Sequence, residues 1–218
     1  MTRILTVLAF LAGLGTAAAE DPAFVRPPTP AKISLSVAQT FSFLDGGYAD
    51  AAHYYSFYWD TGQTWSARAS MDLLPVLRAG LSLGVREFED RGFGIDDLHT
   101  GHARLLAGLR LPLTLPARFL DQPDALASVR GPVAFLHLEA GLGVIDPTSD
   151  AFGGFFDRTF TYSTALVLGL EYRLEQMGLF VSFGAEMLGP PKSSAGFSAE
   201  PDLLLTFPLT LGVSLYLP

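Results

Sequence analysis

The segment 203–217 alternates between large apolar residues and small or polar ones along its whole length. A period of two is typical of a β-strand with two different faces. Strands of soluble domains usually have about five or six residues, so this uncharged, unbroken apolar face favours the wall of a membrane β-barrel. The odd positions are Leu203, Leu205, Phe207, Leu209, Leu211, Val213, Leu215 and Leu217.

The same alternation recurs in seven earlier segments of the chain. The apolar phase lies on odd positions in most of them and on even positions in the fifth and sixth. The sequence therefore predicts an all-β fold, a transmembrane antiparallel up-and-down barrel of eight strands. The predicted strands are 32–44, 63–74, 76–88, 102–115, 133–145, 159–174, 179–188 and 203–217.

The two phases differ in charge, because the apolar phases carry none. A soluble, lipocalin-like barrel would place the apolar phase inside and cover its outside with Lys, Glu and Thr. Here the polar phase is poor in Lys and rich in Gly, which favours a narrow polar lumen where a long Arg needs a neighbour without a side chain. The predicted luminal charge network is Arg68, Asp72, Arg78, Arg86, Arg104, Arg110, His137, Glu139, Glu171, Arg173 and Glu186.

The connections alternate in length. The links at 74–76 and 175–176 are short, whereas 45–62, 89–101, 146–158 and 189–202 are long. Short turns at one end and long loops at the other are typical of outer-membrane barrels. With both termini in the periplasm, the long loops are expected to face outward. The link 116–132 is a long periplasmic exception, in which 121–127 could form a helical turn.

The chain begins with the features of a secretory signal peptide at 1–19: Arg3, a short apolar run and Ala17-Ala18-Ala19. A Pro-rich periplasmic segment (20–31) and the barrel (32–218) are expected to follow. Only 17% of residues are charged, against about 25% in soluble domains, so much of the surface is expected to avoid water. The net charge of -8 argues against nucleic acid as a partner.

The chain resembles the small bacterial outer-membrane barrels of the OmpA, OmpX and OmpW class, over 31–218. Its last strand resembles the signal read by the barrel-assembly machinery, at Thr210, Gly212, Leu215 and Leu217. The departure is the end, Leu217-Pro218, where such proteins usually finish on Phe or Trp. The resemblance implies location in the bacterial outer membrane, with membrane lipid and the assembly machinery as partners.

The luminal charges are expected to pair between neighbouring strands, because isolated buried charges are costly. Arg104 and Arg110 should approach His137 and Glu139. Glu171 and Glu186 should lie close together, with Arg173 nearby. Such pairs would form a rigid plug; the alternative is a small gated pore or a ligand site lined by the same charges.

The first long loop is rich in aromatic residues, which bury large areas and recur at recognition surfaces. The alternative is that strands extend above the membrane and place these rings in its interfacial girdle. The residues are Tyr48, Tyr54, Tyr55, Phe57, Tyr58 and Trp59.

Enzyme chemistry has little support in the sequence. His53 and Ser56 share a loop, and His99 and His102 would share a metal ion only on a helix, which Thr100-Gly101 disfavours. No catalytic residue, metal or cofactor is predicted. The leading hypothesis is an outer-membrane barrel with an occluded lumen and a structural or interaction role through surface loops whose ligand the sequence does not name. A narrow channel or hydrophobic-solute carrier is second, and a lipid-modifying enzyme third.

Overall fold

The computed structural model describes residues 33–44, 53–73, 76–95, 97–113, 130–147, 156–174, 176–193 and 201–217. The predicted signal peptide, the Pro-rich segment, Tyr48 and the possible helical turn at 121–127 lie outside these ranges. The elements are β1 (Ile33–Leu44), α1 (Tyr55–Tyr58), β2 (Gly62–Asp72), β3 (Leu77–Phe88), β4 (Leu98–Pro112), β5 (Gly131–Pro147), β6 (Phe156–Asp157), β7 (Thr159–Arg173), β8 (Met177–Leu188), β9 (Lys192–Ser193) and β10 (Leu204–Leu217).

Eight of these strands form a closed barrel in the order β1-β10-β8-β7-β5-β4-β3-β2. Neighbouring strands are antiparallel, and β1 and β10 close the barrel with a register that runs from Ile33↔Leu217 to Leu44↔Thr206. The predicted all-β, eight-stranded barrel is therefore confirmed. We call the end with the β2–β3 and β7–β8 turns the turn end, and the opposite end the loop end.

Two details at the loop end differ from the sequence prediction. β4 begins at Leu98 rather than at 102, because Leu98 to Gly101 pair with both β3 and β5. Thr100-Gly101 is extended in β4, in agreement with the expectation that these residues disfavour a helix. In addition, β6 and β9 form a small two-stranded sheet in which Asp157 pairs with Lys192. Segments of two residues are too short to give a periodic signal.

Exposure alternates along most of each barrel strand. The apolar phases point outward: Trp65 is 68% exposed, Leu105 72%, Leu142 70% and Phe160 78%. The polar phases point inward and are buried, so the predicted polar interior is confirmed. An apolar surface of this extent is stable only in contact with an apolar medium such as lipid. A closed barrel can lie in lipid because its backbone groups are hydrogen-bonded between strands. Within the described residues, no helix has the length and apolar character required to cross a membrane.

Inward glycines make room for rings on the adjacent strand. An added Cβ at Gly84 would meet the His102 ring, and one at Gly108 would meet the His137 ring. Gly169 and Gly212 lie in the same way beneath Phe135 and Phe180. The expectation that inward glycines lie beside arginines holds at Gly108, which is cross-strand from Arg78, and at Gly141, which is cross-strand from Arg104. Gly84, Gly169 and Gly212 instead leave room for rings.

Candidate functional site

The centre of the lumen is crossed by an ion-pair cluster around Glu186 of β8. Arg86 of β3 contacts it with 2.5 Å between Nη2 and Oε2, and Arg104 of β4 with 2.8 Å between Nη1 and Oε1. β3 and β8 lie on opposite sides of the barrel. Charge-assisted hydrogen bonds therefore tie opposite walls together through one carboxylate.

Glu139 of β5 extends this cluster toward the turn end. Its Oε1 accepts a hydrogen bond from Arg68 Nη2 at 2.8 Å, and its Oε2 lies 3.7 Å from Arg104 Nη1. The expected approach of Arg104 to Glu139 is present, but Arg68 of β2 is the shorter contact although β2 and β5 are not neighbours. Side-chain hydroxyls complete the cluster: Arg104 Nε donates to Ser163, and Arg86 donates to Thr64 and Thr206.

A second ion-pair cluster lies at the turn end. Asp72 accepts from Arg78 at 3.1 Å and from Arg110 at 2.6 Å. The prediction that Arg110 approaches Glu139 was wrong, because the Arg110 guanidinium pairs with Asp72 of β2 instead. Arg173 lies over the ring of Tyr216, with Cζ 3.9 Å from the ring centroid.

Glu171 belongs to the turn end, whereas Glu186 belongs to the centre. The predicted closeness of these two carboxylates was therefore wrong: Glu171 is cross-strand from Phe180, and Glu186 lies six residues beyond Phe180 along β8.

Apolar rings lie between the two ion-pair clusters, beside polar side chains that include Arg68 and Arg78. Phe135 stacks on His137 at 4.7 Å between centroids and meets Phe180 edge-on at 6.2 Å. These rings pack with small inward side chains of β1 and β7, Ala38, Ala165 and Val167. Between the two clusters the lumen thus combines aromatic rings with charged side chains.

Two small cavities lie beside these side chains in the described part of the lumen. A cavity beside Arg86, His102 and Glu186 has a volume of about 20 Å³, and one beside Arg78, His137 and Glu171 about 10 Å³. Each has room for roughly one water molecule. Arg68 borders both, and its Nε and both ring nitrogens of His137 are buried without a hydrogen-bond partner in the described part of the chain.

A hydrophobic cap closes the loop end. Tyr55, Tyr58 and Trp59, on and beside α1, are 1%, 8% and 3% exposed. They pack on apolar inward residues at the strand ends, which are Leu44, Phe88, Leu98, Ile145, Leu188 and Leu204. The sequence offered these rings as a recognition surface or an interfacial girdle; a cap over the lumen was missed. The signal was available in the inward phase, which changes from polar to apolar in the last positions of several strands.

One hydrogen bond ties the cap to the last long loop. The Tyr55 hydroxyl donates to the backbone carbonyl of Asp202 at 2.7 Å. Burial raises the pKa of the Tyr55 phenol well above its ordinary value of 10.0, and the nearby Asp202 carboxylate raises it further. The cap is therefore held by a neutral phenol.

Beside the cap, two other aromatic side chains remain exposed. Tyr54 is 48% exposed and Phe57 44%, and Phe57 packs against Phe93 of the β3–β4 loop at 4.9 Å between ring centroids. Backbone hydrogen bonds join the two loops, from Asp60 N–H to Glu89 C=O and from Arg91 N–H to Tyr58 C=O, both at 2.9 Å.

Two aspartates order the joined loops further. Asp90 carboxylate oxygens accept from the N–H groups of Phe93 and Gly94 at 3.1 and 2.9 Å. At the other side, the backbone N–H of Thr61, followed by the Arg91 guanidinium, lowers the pKa of the exposed Asp60 carboxyl. The result is an ordered outer surface made by two loops.

The predicted assembly-signal residues lie on β10. Thr210 faces inward and its hydroxyl lies 2.9 Å from that of Thr40. Gly212 lies beneath Phe180, Leu215 faces outward with 44% exposure, and Leu217 pairs with Ile33. Recognition by the assembly machinery stays a prediction.

The histidines do not converge on one site. His53 stacks on Phe57, and its Nδ1 lies 3.2 Å from the Tyr58 hydroxyl. His99 faces outward, 3.5 Å from Glu87, whereas His102 lines the lumen. Across the described ranges, no three His, Asp or Glu side chains are arranged to hold a metal ion.

Comparison with known proteins gives the fold. No family model and no curated protein matches the sequence. Among solved structures, Neisserial surface protein A is similar with a TM-score of 0.54 at 10% identity, over 85% of this chain and 97% of that one. OprG from Pseudomonas aeruginosa has a TM-score of 0.50 at 10% identity, over 86% and 97%. Ail of Yersinia pestis has 0.50 at 10% identity, over 87% and 100%.

These likenesses show that the chain has the fold of the small bacterial outer-membrane barrels. The apolar outer wall and the closed strand order agree with that fold. The protein is accordingly an outer-membrane β-barrel surrounded by membrane lipid.

Proposed function

We propose that the protein is a non-conducting outer-membrane barrel that acts through its loop end, in a structural or interaction role. The observation that carries this proposal is the occlusion of the lumen from one end to the other. The groups that fill it are the turn-end cluster, the rings around Phe135, the Glu186 cluster and the cap. A permeating solute would have to break charge pairs that span the barrel. The ordered surface around Phe57 and Phe93 is the part available to a partner.

Planar-bilayer recording tests the occlusion. We expect no steady single-channel conductance from the parent protein. Glu139→Gln should cost several kcal/mol of stability, because a buried Arg loses its partner. Steady conductance of the parent, together with near-normal stability of the variant, would replace the plug with a water-filled pore.

Cysteine labelling tests the orientation, since the chain contains no native cysteine. Arg91→Cys lies on the exposed β3–β4 loop, and Leu174→Cys lies beside the β7–β8 turn with Leu174 49% exposed. A membrane-impermeant maleimide should label the first on intact cells and the second only after permeabilisation. The reverse pattern would place the loop end in the periplasm and remove its proposed surface role.

A narrow channel is the second candidate. The two small polar cavities on either side of Arg68 and the unpartnered nitrogens of Arg68 and His137 favour it. A conductance that changes with Arg68→Gln would support a polar track through these cavities. Absence of conductance in both proteins would leave the plug as the better account.

A further inference from the structure

A shallow groove of about 670 Å³ crosses the outer wall of the barrel from β4 to β10. Small outward side chains make it: Ala107, Ala140, Thr164 and Ala185 lie among larger ones. The strand register places them in adjacent rows, with Ala140↔Thr164 at the centre. The bulky residues at the margins are Leu105, Leu138, Leu166, Met187 and Leu205.

Two aromatic side chains follow the groove toward the loop end on the outer face of β7. Tyr162 (50% exposed) and Phe160 (78%) follow Thr164 on the same face. Arg158 comes next and lies over Phe160, with Cζ 5.9 Å from the ring centroid. The outer face of β7 therefore carries part of the groove and then two aromatic rings, and the cation Arg158 lies directly before its first residue.

A second cation lies on β9, which pairs with the strand β6 that precedes Arg158. Lys192 of β9 is exposed, and its backbone N–H donates to Thr159 Oγ1 at 2.9 Å. Arg158 is 65% exposed and contacts Asp146 at 3.3 Å, and Asp157 pairs with Lys192 in the β-register. An exposed ion pair of this kind is weak, and a guanidinium has five N–H donors, so both cations can still meet an anion.

The spacing of these features matches one membrane leaflet. Thr164 and Arg158 are six residues apart, which is about 20 Å along a strand and about 15 Å along the membrane normal for a strand tilted by roughly 40°. Half of the hydrocarbon core is also about 15 Å thick. A lipid with its anionic group at Arg158 would extend an acyl chain into the groove.

We propose that this face of β7 binds one molecule of lipid A, the phosphorylated and acylated glycolipid of the outer leaflet. One acyl chain occupies the groove between Leu138 and Met187, and a phosphate lies between Arg158 and Lys192. The groove extends from mid-height of β4 and β5 to the loop-end half of β8 and β10. The choice of outer-leaflet lipid therefore rests on the proposed orientation, with the loop end outside.

Native mass spectrometry of the detergent-solubilised protein tests this directly. Hexa-acylated bisphosphoryl lipid A and a dioleoyl phosphatidylglycerol are added separately at equal concentrations. The parent protein should bind lipid A about tenfold more tightly, since its two phosphates bring more negative charge to Arg158 and Lys192 than the single phosphate of phosphatidylglycerol. Equal binding of the two lipids would overturn the choice of lipid A.

Groove-filling variants test the place of binding. Thr164→Leu combined with Ala185→Leu should reduce lipid A binding about tenfold, because the added methyl groups occupy the space of the chain. Ala67→Leu combined with Ala69→Leu is the matched control, on the outward face of β2 at the opposite side of the barrel. An equal loss in both double variants would contradict a specific groove.

Head-group variants complete the test. Arg158→Gln should weaken lipid A binding several-fold while leaving phosphatidylglycerol unchanged, and Arg91→Gln, a cation on another loop, should change neither. Heat-modifiable gel mobility checks that each variant is folded, and single Ala140→Leu replaces any double variant that is not. Lipid binding in detergent does not depend on which way the barrel is inserted in the membrane. If the labelling experiment places the loop end in the periplasm, the proposed surface role is refuted, but lipid binding to the groove can still be measured.

Discussion

Arg86 of β3 and Glu186 of β8 lie on opposite walls of the barrel, and their side chains meet across the lumen with 2.5 Å between Nη2 and Oε2. Both side chains are almost fully buried, at 4% and 8% exposure. Ion pairs in such surroundings offset a large desolvation cost only when each member is satisfied. Glu186 also serves Arg104, so two buried cations depend on one carboxylate.

Glu186→Gln should therefore be strongly destabilising. The amide preserves the shape but leaves two buried guanidinium groups without their shared counter-charge, at a cost of about 3–5 kcal/mol in the free energy of unfolding. Urea unfolding in lipid vesicles measures it. The control is Glu87→Gln, whose side chain is 56% exposed beside His99 and should change stability by less than about 1 kcal/mol. Similar losses of stability in the two variants would show that water in the lumen solvates the charges around Glu186.

The outward face of the barrel makes the second prediction. Leu138 is 61% exposed at mid-height of β5, so Leu138→Arg should place a charge in lipid at a cost of about 2–4 kcal/mol. Leu138→Met is the control and should be nearly neutral. A neutral Leu138→Arg in vesicle folding would contradict the lipid-facing assignment.

The strands were predictable because their signal is local. A period of two fixes which side chains share a face. The Gly-rich, Lys-poor polar phase then indicated which face lies inside, so the outward position of Leu105 and the inward position of Arg104 were predicted. The partners of inward charges do not follow. Arg68 reaches Glu139 and Arg86 reaches Glu186 between strands that are not neighbours, and these contacts depend on barrel closure, strand stagger and side-chain length together.

The cap was not predictable for a related reason. Tyr55, Tyr58 and Trp59 have no periodic pattern, because a four-residue helix is shorter than the turns needed for one. Their burial depends on the apolar rim formed by Phe88, Leu98 and other strand ends, which only the assembled barrel brings together. The role of a long loop rich in aromatic residues can therefore be assigned only when the positions of the strand ends around it are known.

The glycine–ring contacts make the third prediction. Gly108→Ala should cost about 1–3 kcal/mol, because its Cβ would overlap the His137 ring on β5 and overpacking in a rigid wall strains both strands. Combining it with His137→Ala removes the overlap. The double variant should then be more stable than the sum of the single effects predicts. Additive losses in denaturant titrations would mean that the ring has free space into which it can move.

The last prediction concerns pH and Tyr55. Burial and Asp202 raise the pKa of this phenol in the folded state, whereas the unfolded chain should ionise near pH 10. The folded state thus retains a proton that the unfolded state loses. This contribution to stability is complete below about pH 10 and declines as the pH rises above it. Tyr55→Phe removes the hydroxyl and its bond to Asp202, at a cost of about 0.5–1.5 kcal/mol, and should also remove this part of the alkaline decline. The difference in phenolate absorbance between the parent and Tyr55→Phe should show no step near pH 10 while the barrel remains folded. A step there would place the phenol in water and the cap in an open state.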